Sequence, residues 1–128
     1  MRPHIVNPAA SPKPVGPYSH AVRVGDFLFC SGQIPLTADG KLVEGGIEEQ
    51  TRQVLENVGA ILKDQSLKFE NVIKATVFMT DLGEFAEMNG VYGEFFSSHF
   101  PARSTVQVAA LPRGARVEIE VVACYPTP

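Results

Sequence analysis

Arg103 stands alone in the run Phe100-Pro-Ala-Arg103-Ser-Thr105, at the mouth of an apolar strand. A guanidinium offers a rigid fork of donors that can hold a carboxylate through two parallel hydrogen bonds. On spacing alone, a solvated charge at a strand end is the simpler reading. Glu118 and Glu120 alternate with Val117, Ile119 and Val121, so both carboxylates share one strand face. That face could be a solvent edge. If one of the two is partly buried, it could act as a general base on water. Asn89 and Tyr92 lie three residues apart on a helical stretch, a spacing that also suits core packing beside a surface amide.

Other chemistries find little support. His4, His20 and His99 are scattered, and no His or Cys pair has zinc-ligand spacing, so no metal is expected. His20 follows the Gly16-Pro-Tyr18 segment and is expected at the surface. Cys30 and Cys124 fall within strands, where a thiol acts as a small hydrophobe. No positive group is placed to activate either. Two cysteines make no disulfide framework, which points to reducing cytosol. The glycines at 25, 32, 40, 45 and 46 match no phosphate-cradling pattern.

The elements that must position Arg103 and the glutamates follow from periodicity. Asn7 to Tyr18 carries four prolines, at 8, 12, 14 and 17, and cannot propagate a helix. Residues 1–17 therefore read as an extended proline-rich arm on a single domain of residues 1–128. Ala21–Val24 and Phe27–Cys30 flank Gly25-Asp26, a tight hairpin. Gly32 and Pro35 end the second strand, Thr37 to Gly40 turns, and Lys41–Val43 reads as a short edge strand. Ile47, Val54, Leu55, Val58, Ile61 and Leu62 form the apolar stripe of a helix over 47–63. Asn71–Thr80 is a strand. Leu82–Phe96 is a second helix, with Phe85, Met88, Tyr92, Phe95 and Phe96 inward. Ser104–Leu111 and Arg116–Tyr125 are strands joined by a turn at Pro112–Ala115.

This order predicts an α+β fold, with two helices packed on one face of a mixed sheet. The bare face needs covering, which favours an oligomer with bare faces meeting. The chain has 128 residues, of which 45% are hydrophobic and 20% charged, a globular balance. No apolar run reaches the roughly 18 residues of a membrane span, and no signal-peptide core follows Met1. The net charge of −3, without a basic stripe, argues against a nucleic-acid partner. If 112–115 closes a hairpin, Arg103 lies opposite about residue 124 and Glu118 opposite about residue 109. The two are then ~20 Å apart along the hairpin. Any cooperation between them would cross a subunit boundary.

Six segments together resemble the RidA (YjgF, reactive intermediate deaminase) family. They are Gly16-Pro-Tyr18-Ser-His-Ala, Ser31-Gly-Gln-Ile-Pro35, Gln50-Thr-Arg-Gln-Val-Leu-Glu-Asn57, Lys74-Ala-Thr-Val-Phe-Met-Thr-Asp-Leu82, Phe100-Pro-Ala-Arg103-Ser and Val117-Glu-Ile-Glu120. They run in order from about Asn7 to Tyr125. The resemblance implies a chorismate-mutase-like fold, a homotrimer with sheets facing inward, and ligand clefts between subunits. It implies hydrolysis of 2-imino acids such as 2-iminobutanoate and 2-iminopropanoate to 2-oxo acids and ammonia, without a cofactor. These imines and their enamine tautomers leak from pyridoxal-phosphate enzymes. Arg103 matches the family's carboxylate-binding arginine and Glu118 the glutamate proposed to activate water. Glu120 is not that match. Tyr18, Ser31, Gly32 and Asn89 match site-lining positions, and Tyr92 an aromatic near the cleft.

The chain departs from the pattern at Thr105, where many bacterial members have Cys. A backbone contact from position 105 survives that change, but a thiol role does not. The Ser97-Ser-His99 stretch is also shorter than in some members. Two other functions fit the same resemblance: a regulator that binds 2-oxo acids without turnover, and an RNA-cleaving translation inhibitor. Binding RNA without a basic patch would be weak and salt-sensitive.

Overall fold

The computed structural model describes residues 2–127. Six strands form one mixed sheet: β1 (His4–Val6), β2 (Ala21–Val24), β3 (Phe27–Gln33), β4 (Val72–Met79), β5 (Ala102–Gln107) and β6 (Val117–Cys124). Their order across the sheet is β1-β2-β3-β6-β4-β5. Two helices, α1 (Ile47–Asp64) and α2 (Phe85–Phe95), cover one face. No helix among the described residues is long and apolar enough to cross a membrane.

Local signals explain most elements. Val24 pairs with Phe27 across a two-residue turn, and Gly25 takes the positive φ (60°) that such a turn favours. At the start of α1, the Glu49 carboxylate accepts from the Gly46 N–H at 2.8 Å, satisfying a free helix-end donor. The six apolar residues of the α1 stripe are all buried. They meet Leu28, Cys30, Val77, Ile119 and Val121 from the helix-side face of the sheet.

The polar residues of α1 hold the loops that frame the sheet ends. Asn57 Nδ2 donates to the carbonyls of Ile34 (3.2 Å) and Leu36 (2.8 Å), all buried. Gln50 Oε1 accepts from the Arg116 N–H at 2.8 Å. Asn57→Ala leaves the buried Leu36 carbonyl without its side-chain donor and the Ile34 carbonyl with only the Leu36 N–H. It should cost about 2 kcal/mol in urea denaturation, with a lower midpoint and an unchanged m-value.

Several expectations need correction. The strands around Pro112–Gly114 do not form a hairpin, because β4 lies between them: parallel to β5, antiparallel to β6. Strand content explains the order. β6 buries Val117, Ile119, Val121 and Ala123 completely or nearly so, which suits the centre of a sheet. β5 has no fully buried residue and is exposed at Ala102, Ser104, Val106 and Gln107, which suits an edge. It also ends at Gln107 rather than Leu111.

Lys41–Val43 makes no strand, only an isolated Leu36–Leu42 bridge. The second helix begins at Phe85, after a short 3-10 turn at Leu82–Glu84 capped by the Asp81 side chain. Phe85 itself is exposed rather than inward. His20, expected at the surface, is 4% exposed. His4–Val6 of the arm pair with β2 as a sixth strand, β1.

The sheet face opposite the helices stays uncovered. Phe27, Phe29 and Val106 stand on it, each more than 40% exposed. Lys74 Nζ donates to Ser104 Oγ there at 3.0 Å.

Candidate active site

The sequence-derived site residues fall into two groups. The first lines a cleft of about 360 Å³, in which Tyr18, Ser31, Gly32 and Glu118 meet Val15, Ile34, Pro112 and Glu120. Ser31 enters from the end of β3. Its hydroxyl donates to the Ser19 carbonyl at 2.6 Å, tying the segment that bears Tyr18 to the sheet. Tyr18 Oη accepts from the Val15 N–H at 3.3 Å.

Glu118 lies over Gly32. A Cβ at Gly32 would approach the Glu118 carboxyl carbon to 2.8 Å, so any side chain there would push this carboxylate from its place. Glu118 is half-buried. Burial first, and the neighbouring Glu120 carboxylate second, push its pKa above the usual carboxylate range. A carboxylate raised in this way is a better proton acceptor at neutral pH than an exposed one.

The second group gathers on the helix side of β5. Arg103 Nη1 donates to Asn89 Oδ1 on α2 at 2.8 Å. The guanidinium carbon lies 4.7 Å from the Tyr92 ring centroid and 5.5 Å from that of Phe85. Phe85, Asn89 and Tyr92 are spaced four and three apart, so one stripe of α2 faces the arginine. That spacing is visible in the sequence and is the signal that adds Phe85 to the site. No carboxylate among the described residues pairs with Arg103. One edge of the fork is therefore held by an amide and its face by aromatic rings, while other donors stay open. Tyr92 Oη and Thr105 Oγ1 are buried nearby without hydrogen-bond partners.

The two groups do not meet within one chain. Arg103 pairs with Ala75 on β4, and Glu118 pairs with Phe78. The two residues are separated by three positions along β4 and two strand spacings, roughly 14 Å between Cα atoms. An odd offset along a strand also places them on opposite faces of the sheet. The hairpin that suggested ~20 Å is absent, and the obstacle is the sheet itself rather than distance along a ribbon.

The cysteines lie apart from both groups. Cys30 faces the core, where burial pushes its thiol up to about 12. A thiol so protonated is a poor nucleophile.

The chain and its fold are similar to known proteins. A family model described as "Endoribonuclease L-PSP" matches residues 8–125. A Bos taurus protein named 2-iminobutanoate/2-iminopropanoate deaminase is 48% identical over 120 residues, covering 93% of this chain and 88% of the relative. Relatives of similar identity carry other names, among them protein DfrA of Myxococcus xanthus. The crystal structure of a putative endoribonuclease from Thermotoga maritima superposes with a TM-score of 0.94 at 46% identity, covering 99% of this chain and 100% of that one. The structure of Escherichia coli TdcF with bound serine superposes with a TM-score of 0.90 at 41% identity, covering 96% and 99%.

Proposed function

This chain belongs to the endoribonuclease L-PSP family, the RidA (YjgF) proteins, and on that premise we propose that it hydrolyses 2-imino acids to 2-oxo acids and ammonia. The observation that carries the reading is the separation of Arg103 and Glu118 on opposite sheet faces. A small imino acid needs both, so the site is completed by a second copy. Three copies pack with their uncovered sheet faces inward, burying Phe27, Phe29 and Val106. At each boundary, Arg103, Asn89, Tyr92 and Thr105 of one subunit oppose Tyr18, Ser31, Gly32 and Glu118 of its neighbour.

Arg103 fixes the substrate carboxylate and thereby its orientation. The imine carbon is already electrophilic, more so when protonated. Glu118 takes a proton from the attacking water. Glu118 then returns that proton to the nitrogen of the carbinolamine; the C–N bond breaks, ammonia leaves, and the hydroxyl loses its proton as the 2-oxo acid forms. No cofactor takes part. The substrates are the imines and enamines released by pyridoxal-phosphate enzymes. Two free thiols suit a reducing cytoplasm.

A coupled assay tests the reading. Threonine dehydratase generates 2-iminobutanoate, and release of 2-oxobutanoate is timed with and without the protein. Acceleration is expected, together with a trimer in sedimentation equilibrium. An unchanged release rate, with a 2-oxo acid still bound, would favour the second reading, a non-catalytic carboxylate sensor. The relative TdcF, solved with serine, lends that alternative its support. An RNA-cleaving role is disfavoured by the net charge of −3.

Gly32→Ala should lower kcat by roughly 10²-fold, because the added methyl displaces the Glu118 carboxyl from the water it activates. KM should change little, since the carboxylate contact lies on Arg103. A variant with normal kcat would show that the close packing over Gly32 is incidental.

A further inference from the structure

His20 joins the proline-rich segment to the cleft and has no role in the chemistry above. Its backbone N–H donates to Asn7 Oδ1 at 2.8 Å, at the start of that segment. Its carbonyl accepts from the Ser31 N–H at 2.8 Å, at the cleft. His20 is 4% exposed, and its side chain lies with Pro12 along one cavity wall. Its Nδ1 is buried without a partner, as is Ser11 Oγ in the same segment. A narrow cavity of about 20 Å³ adjoins the ring, between the segment and the end of β3.

We infer that His20 is a positioning residue: its neutral ring fastens the segment that carries Tyr18 to the cleft, and a proton on Nδ1 releases it. The importance of Tyr18 to turnover rests on the proposed function, whereas the fastening does not. The titratable groups facing the cavity with His20 are Lys13 and Tyr18, both from the segment. The residues facing it from β3 and the loop beyond, Gly32, Gln33, Ile34 and Leu36, carry no charge. Glu118 lies over Gly32, on the open face of the sheet. A proton on Nδ1 therefore finds no carboxylate among the residues lining this cavity. A buried donor without an acceptor is costly, and a buried charge more so.

Burial holds the His20 pKa below the ordinary imidazole value, with the Pro12 contact opposing it. The fastened form thus binds fewer protons than the released form. Fastening is strongest above pH ~6.5 and weakens as pH falls through that value, by up to about tenfold per pH unit.

Amide hydrogen exchange of residues 9–19, corrected for intrinsic rates, tests this between pH 7.5 and 5.5. In the wild-type protein their protection should fall over that interval, by at most about tenfold, while Leu28 and Val58 stay protected. His20→Gln, which cannot titrate, should show a flat profile. KM for the imine should rise at acid pH in the wild type and not in His20→Gln, with kcat equal in both. Identical pH profiles in the two proteins, or constant protection in the wild type, would overturn the inference. The wild type alone provides a second check: the His20 ring and the Tyr18 amide must titrate in NMR spectra with one midpoint, and separate midpoints would also overturn it. The exchange and NMR readouts need no turnover, so they stand apart from any failure of the imine assay.

Discussion

Arg103→Ala should lower kcat/KM for 2-iminobutanoate by on the order of 10³ while the fold persists. A hydrogen bond to a charged group contributes roughly 1.5–3 kcal/mol, and a fork makes two. Removing both costs roughly 3–6 kcal/mol in the transition state, or about 10²–10⁴ in rate. The fold should tolerate the change. Arg103 sits on the edge strand β5, makes one side-chain hydrogen bond, to Asn89, and lies against the buried Tyr92 ring and the exposed Phe85 ring. Arg103→Lys keeps the charge and loses the fork, so its activity should fall between the two. The proposed carboxylate contact predicts that the loss appears in KM as well as kcat. Near-normal kcat/KM in Arg103→Ala would remove the residue from the site.

Glu118→Gln should lower kcat by about 10²–10⁴, the contribution of a placed general base. The amide fills the same space over Gly32 but takes no proton. In the wild-type protein the rate should fall on the acid side, with a midpoint above the usual carboxylate range, because burial and Glu120 hold Glu118 there. That limb should vanish in the variant's residual rate.

Stability moves the other way. A carboxyl whose folded pKa is raised above its unfolded value contributes stability at low pH, and that contribution is lost as pH rises through the folded pKa. Ionised Glu118 therefore weakens the fold at neutral pH. Glu118→Gln should melt higher than the wild type at pH 7, and the gap should close toward pH 4. The gain is modest, since the half-exposed carboxylate is partly screened by water. A variant both less active and less stable at pH 7 would indicate that Glu118 serves the fold instead of a reaction.

Elements whose signal lies in neighbouring residues are legible in the amino-acid sequence. The α1 stripe at 47, 54, 55, 58, 61 and 62 is buried along its whole length, because helical period places those residues on one side. Gly25-Asp26 closes the β2–β3 hairpin. The alternation of β6 correctly separates Glu118 from Ile119.

The features that sequence reasoning misplaces share one cause: each depends on what lies beside a residue in space. β5 and β6 follow one another along the chain with a turn-like Pro112-Arg-Gly between them, yet β4 separates them. No local pattern tells whether a returning strand pairs with its predecessor or with an earlier strand. The greater apolar content of β6 is the one clue the chain offers. His20 reads as a surface residue because its polarity is local, while its burial comes from a proline-rich segment folding back through Asn7. Phe85 reads as a core residue because its apolarity is local, while its exposure follows from its place at the start of α2, beside Arg103.

By itself, then, the sequence determined the α+β class, the two helices on one sheet face and the six motifs that carry the family, since all of these rest on periodicity and on residues close along the chain. The tertiary structure alone decided on which sheet face each candidate residue stands. Which strand sits between β5 and β6 sets the parity between Arg103 and Glu118. That parity turns a candidate pair into two halves that a single copy cannot bring to one small ligand.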